Sequence, residues 1–159
     1  MNFKKGETVI YPQHGACVVK GTKKMEMFGE KREYLVLHMV HGELTLRVPV
    51  DKAEEVGMRP PISKSDVEDL FRLIGKRDVR EPANWSRRFK NHQEKMKSGD
   101  VYQVAEVVRN LALREAGKGL STAEKSMLDR ARGILVSELS FALDVTEEQA
   151  LDKLNAGLQ

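Results

Sequence analysis

Two consecutive prolines, Pro60 and Pro61, sit inside the stretch Val56-Gly-Met-Arg-Pro-Pro-Ile-Ser63 and divide this chain. Neither a helix nor a strand ladder runs through such a pair, because both residues lack a backbone N–H and fix φ near −65°. Apolar residues recur with a period of two before the prolines and of about 3.6 after them. The chain therefore reads as an α+β protein of two domains. A small β unit covers residues 1–56, a linker covers 57–64, and an all-α unit covers 65–159.

The first unit divides into five short strands. Residues 7–11 end at Pro12, and 16–20 follow the turn Gln13-His14-Gly15. Segments 22–28, 31–40 and 44–48 complete the set, joined at Gly29-Glu30 and at His41-Gly42-Glu43. Runs of β-branched and aromatic residues between Gly and Pro are a strand signature. In 31–40 both faces are apolar, with Tyr34, Val36 and His38 alternating against Leu35, Leu37 and Met39, as in the central strand of a small closed sheet. Leu44, Leu46 and Val48 face inward, and Thr45 and Arg47 outward. Five such strands fit a Tudor-like or SH3-like barrel, an architecture that commonly serves as a binding module. Lys23, Lys24, Met25, Met27 and Phe28 mark the edge strand, where exposed Met and Phe suit a partner surface. Arg47 reads either as a solvated residue or as an anchor for a partner that adds a strand to the sheet.

The second unit reads as a five-helix bundle. Ser65 caps a helix over 66–74 that Gly75 ends. Asn84 caps 85–97, with Phe89 and Met96 inward, and Asp100 caps 101–115. Ser121-Thr-Ala-Glu124 is a capping box opening 122–142, and Thr146-Glu-Glu-Gln149 is a second one opening a helix to about residue 155. Short connections between such helices give a compact bundle.

Charge is concentrated around the one tryptophan. Residues 72–97 hold nine cations and three anions, a local charge of +6, while the chain as a whole carries +3. Trp85 is placed at the N-terminal tip of its helix, with Arg87, Arg88 and Lys90 in the next turn and a half. An exposed aromatic among cations suits a phosphate backbone with a base step to wedge or stack against. The alternative is a Trp85 that anchors its helix in the core of a protein–protein adaptor, with the charges as a solvated face.

Other chemistries find no support. Cys17 is the only cysteine, so no intrachain disulfide forms, and its neighbours Ala16, Val18 and Val19 make it a small strand hydrophobe. No run approaches the ~20 apolar residues of a membrane helix, and Met1-Asn-Phe-Lys-Lys-Gly6 has no apolar signal region. The four histidines (His14, His38, His41, His92) lack partners at metal-ligand spacing. Gly117-Lys-Gly-Leu-Ser-Thr122 has the wrong spacing for a phosphate loop and lies between helices. The expectation is a cytoplasmic, monomeric, non-enzymatic protein without cofactor or metal.

With both halves read, the chain resembles the CarD/CdnL family of bacterial RNA polymerase-binding transcription regulators over essentially its whole length. The likeness rests on Gly6-Glu-Thr-Val-Ile-Tyr-Pro-Gln-His-Gly15, Glu33-Tyr-Leu-Val-Leu37, Leu44-Thr-Leu-Arg-Val-Pro49, Asn84-Trp-Ser-Arg-Arg88, Ser98-Gly-Asp-Val101 and Val104-Ala-Glu-Val-Val-Arg109. The resemblance implies that the Tudor-like domain pairs its edge strand with the β-subunit lobe of RNA polymerase. Lys24, Met25, Met27 and Arg47 are the residues in position to do so, although Met25 stands where some relatives have a basic residue. It further implies that the helical domain meets promoter DNA at the upstream edge of the transcription bubble. There Trp85 wedges into the minor groove and stabilises the open complex. Arg87, Arg88 and Lys90 match DNA-facing positions, and Arg114 and Lys125 are further backbone contacts. The competing expectation is a free-standing, sequence-nonspecific architectural nucleic-acid-binding protein, which would bind DNA tightly and with steep salt dependence without polymerase.

Overall fold

The structure is a computed structural model that describes residues 3–40 and 42–159, with the main chain alone at Met27. The hairpin position His41 lies outside the described residues, as do Met1 and Asn2 of the N-terminal segment. Four strands, β1 (Thr8–Tyr11), β2 (Gly15–Met27), β3 (Glu30–Met39) and β4 (Thr45–Pro49), form an antiparallel sheet in sequence order. A single 3₁₀ turn (Val50–Lys52) follows. Then come five helices: α1 (Lys64–Ile74), α2 (Trp85–Lys97), α3 (Val101–Gly117), α4 (Thr122–Leu143) and α5 (Glu147–Gly157).

The expectation of five strands is corrected to four. Segments 16–20 and 22–28 are one 13-residue strand, interrupted by a bulge. Val19 pairs with Leu37, but Gly21 pairs with Val36, so Lys20 is the extra residue. Gly21 has φ +131°, a conformation that side-chain-bearing residues rarely adopt. The break in alternation between 16–20 and 22–28 is this bulge, which curls the sheet instead of ending the strand. The result is a half-barrel around Val9, Cys17, Val19, Leu35, Leu37, Val48, Ala53 and Met58. Burial pushes the Cys17 thiol up to about 11, so it behaves as the hydrophobe expected. Leu44 differs from expectation, being half exposed just before β4 begins.

In the helical half the caps fall where the sequence puts them, with one shift. Asn84 accepts from the Arg87 N–H, Asp100 from Tyr102, and both capping boxes are complete. At α1 the cap is Ser63, not Ser65: Ser63 accepts from the Asp66 N–H, and the two hydroxyls lie 2.9 Å apart. The bundle core runs through Leu70, Ile74, Val104, Val107, Val108, Leu111, Leu128, Leu135 and Leu139.

The two halves are locked together across α4 and β2. Met58 belongs to the β core, and Arg59 and Ile10 exchange backbone hydrogen bonds of 2.7 and 3.2 Å, so the segment after the 3₁₀ turn closes the half-barrel. Arg59 also grips Glu138 of α4 in a bidentate pair at 2.7 and 2.8 Å, and the Ile62 N–H donates to the same carboxylate at 2.9 Å. The Ala16 N–H donates to Ser137 Oγ at 3.0 Å. Gly15 permits this approach: it has φ +83°, and a Cβ there would stand 2.5 Å from Ser137 Oγ. Glu138 is 1% exposed, so replacing it with alanine strands a guanidinium and an amide at the joint. The expected cost is about 2 kcal/mol or more in urea unfolding. A change within experimental error would mean that the joint contributes nothing to the fold.

Candidate nucleic-acid interface and docking edge

Trp85 is the first residue of α2 and is 42% exposed. The Asn84 cap starts the helix immediately before it, so the indole leaves the chain at the helix tip. One turn further on, at the i+4 position, Phe89 stacks against it with ring centroids 4.9 Å apart and planes 10° apart. The indole Nε1–H donates to Glu124 Oε1 at 3.1 Å, with Ser121 Oγ also at 3.3 Å. One face and one edge of the ring are fixed, and the remainder is open to solvent.

Glu124 holds this arrangement together. It is 2% exposed and accepts from the Ser121 N–H (3.2 Å), the Ser121 hydroxyl (3.0 Å), Trp85 and Arg88 Nε (3.4 Å). Burial alone would raise its carboxyl. The bonds from Ser121 and Trp85 and the Arg88 charge outweigh that and leave it below its ordinary value of 4.5. A depressed native value means stability that is present above the unfolded value and lost as pH falls through the native one. Acid titration is therefore expected to lower the thermal midpoint as pH drops below about 4.5, with the Trp85 fluorescence changing over the same range. Flat stability through that range would remove Glu124 from this role.

Arg88 departs from its expected place. It was expected to face DNA, but its side chain is 2% exposed. It points inward, bonding Glu124 and donating through Nη1 to the carbonyls of Pro82 and Ala83 at 3.4 Å each. The reason is helical phase. Arg88, His92 and Met96 lie at i, i+4 and i+8 and form the buried stripe of α2, while Arg87 and Lys90 fall on the exposed side. That spacing was readable in the sequence, but the cationic head concealed it. His92 is buried too, with Nε2 2.7 Å from Glu81 Oε2. Sequence reasoning also missed Glu124 and Ser121, whose link to Trp85 spans 39 and 36 residues and leaves no local signal. Phe89, expected inward, is half-buried beneath the indole.

The +6 segment is less free than its count suggests. Arg72 pairs with Asp69 (2.9 Å), Arg88 with Glu124, and Lys95 with Glu106 (2.8 Å). Arg87 and Lys90 remain exposed near the indole, and exposed Lys125 follows Glu124 on α4. Arg114 is half-buried near the end of α3, in a cleft whose wall includes Pro82 and Ala83.

On the β half, β1 covers Gly15–Val18 of β2, and β4 covers Tyr34–His38 of β3. Beyond the bulge, residues 21–27 of β2 pair only with β3 among the described residues, so their outer edge is open. Register settles which faces the candidate residues occupy. Gly21, Val36 and Arg47 form one row across the sheet, and Met25, four residues beyond Gly21, shares their face. Lys24 falls on the opposite face, in phase with Thr22 and the buried Leu35. Met27 is paired with Glu30 along the same edge, and its side chain lies outside the described residues. At the hairpin turn Phe28 has φ +53° and is fully exposed.

The chain is thus a two-domain α+β protein, an open-edged half-barrel joined through Arg59–Glu138 and Ala16–Ser137 to a helical bundle that presents a clamped indole. Residues 3–62 match the family described as "CarD-like/TRCF RID domain", and residues 69–155 match "CarD, C-terminal domain". The chain is 31% identical over 147 residues to the protein described as "Putative transcription factor YdeB" from Bacillus subtilis (strain 168), a span of 92% of this chain and 96% of that one. This chain belongs to the CarD family of transcription regulators. Among the described residues no helix is long and apolar enough to cross a membrane.

Proposed function

We propose that this protein binds the β subunit of RNA polymerase through its open β2 edge and stabilises the promoter open complex with Trp85, placed in the minor groove at the upstream edge of the bubble. The observation that carries this reading is the indole itself. It is a large aromatic, 42% exposed, held by Phe89 on one face and Glu124 on its edge. A ring fixed before binding loses little freedom on insertion. Unstacking a base step costs a few kcal/mol, and a distorted fork has already met much of it, so a wedge binds open DNA better than closed duplex. Only such differential binding shifts the equilibrium. Arg87, Lys90 and Lys125 would hold phosphates and fix register without reading sequence. Arg88 acts indirectly, through Glu124.

The docking edge supplies the second half of the mechanism. A polymerase strand added along residues 21–27 would gain main-chain hydrogen bonds, with Met25 and Arg47 on one face and Lys24 on the other. With a net charge of only +3, DNA affinity alone is low, and tethering raises the effective concentration at the fork. Arg47→Glu is expected to abolish capture of the β lobe while leaving the thermal midpoint unchanged, since Arg47 is exposed. Capture at wild-type yield would sink the role of Arg47. Tight, steeply salt-dependent binding to promoter DNA without polymerase would instead favour the architectural reading.

A further inference from the structure

Between the α1–α2 connection and the last turn of α3 lies a cleft of about 610 Å³ that contains Arg77, Arg80, Arg114 and Lys118. The one carboxylate on its wall, Glu81, lies 2.7 Å from His92 and is thereby engaged away from these four cations. Arg77 is oriented by donating to the carbonyls of Ile74 (3.3 Å) and Gly157 (3.5 Å). Arg80, Arg114 and Lys118 make no ion pair among the described residues, and the Nε of Arg114 is buried without a hydrogen-bond partner. Four cations beside one engaged carboxylate make a strongly electropositive concavity.

Its position gives the cleft meaning. One wall is Pro82–Ala83, which runs directly into the Asn84 cap and Trp85. The other wall, at Lys118, is three residues before Ser121, whose hydroxyl lies 3.3 Å from the indole Nε1. Both walls therefore converge on the same ring. We propose that this cleft holds backbone phosphates of the DNA strand that passes Trp85, with Arg77, Arg80 and Lys118 as its exposed contacts and the half-buried Arg114 behind them. The proposal rests on the promoter reading above and extends it: the strand would continue from the indole across the α1–α2 connection and the end of α3.

The test measures open-complex lifetime against salt for wild type, Trp85→Ala, the double variant Arg80→Ala/Lys118→Ala, and a control, Lys64→Ala/Lys153→Ala, in the groove between α1 and α5. Each phosphate contact adds about 0.9 to the slope of log affinity against log salt. Losing two contacts is expected to lower that slope by roughly 2, so the wild-type advantage shrinks roughly tenfold over a fourfold rise in salt. The control pair should leave the slope unchanged. A wild-type slope in the Arg80/Lys118 variant, with Trp85→Ala still shortening the lifetime, overturns the cleft and leaves the wedge standing. No effect of either variant overturns both. Inorganic pyrophosphate is the probe for a free-anion site. Saturable pyrophosphate binding that the double variant loses, with an unchanged salt slope, would overturn the DNA assignment.

Discussion

Glu124→Ala is expected to lower the unfolding free energy by about 3–5 kcal/mol, the range for removing one partner of a buried ion pair. The size follows from what is left behind. Arg88 is 2% exposed, and its Nε contact to Glu124 is already long at 3.4 Å. Without the carboxylate it keeps only the carbonyls of Pro82 and Ala83. The same substitution removes the acceptor for the Ser121 N–H and the nearer of the two acceptors for the Trp85 Nε1–H, which keeps only Ser121 Oγ, so α4 loses half of its capping box. A charge-free replacement of the pair, Arg88→Met with Glu124→Leu, should recover much of the stability, because packed hydrophobic residues often match or exceed a buried ion pair. It should not recover the indole's orientation. Urea unfolding of the two variants, with Trp85 fluorescence anisotropy alongside, separates stability from positioning. A loss below about 1 kcal/mol for Glu124→Ala, the range of exposed ion pairs, would show that the contact is incidental.

Trp85→Ala is expected to act in the opposite sense: a small effect on the fold and a large one on function. The ring is nearly half exposed and lies outside the bundle core, so its removal uncovers Phe89 at the surface without opening a core cavity. Base–aromatic contacts are worth about 1–3 kcal/mol by alanine substitution. Open-complex lifetime at a promoter that depends on this protein should therefore fall roughly tenfold, with polymerase capture unchanged because the docking edge is intact. Trp85→Phe keeps a ring for the groove but loses the Nε1–H bond to Glu124, so an intermediate lifetime is expected. A wild-type lifetime for Trp85→Ala would end the wedge mechanism, whatever the variant does to stability.

These two residues also show where sequence reading succeeds and where it stops. Asn84, Asp100, Ser121 with Glu124, and Thr146 with Gln149 are legible as caps because a cap is a contact within a few residues. The buried Cys17 follows from its apolar neighbours, and the central strand β3 from apolar residues on both of its faces. The bulge at Lys20–Gly21 interrupts the period of two, so the sequence divides one strand into 16–20 and 22–28, and only pairing with Val36 and Leu37 joins them. Arg88 was assigned by its charge to the basic surface, although its i+4 and i+8 partners His92 and Met96 placed it on the buried side. The second role of Glu124, beyond capping α4, depends on α2 lying against the start of that helix.

By itself the amino-acid sequence determined the change of period on either side of Pro60-Pro61, the type and order of the helices, the position of Trp85 at a helix start, and the membership in its family. These features are carried by local propensity, period and motif, which act over a few residues or along one element. Tertiary structure decided which cations face solvent, what holds the indole, where the open edge of β2 begins, and how the two halves are joined. Each of these depends on pairs such as Trp85–Glu124, Arg59–Glu138 and Gly15–Ser137 that are distant along the chain. Their desolvation and hydrogen bonding exist only once the elements have packed.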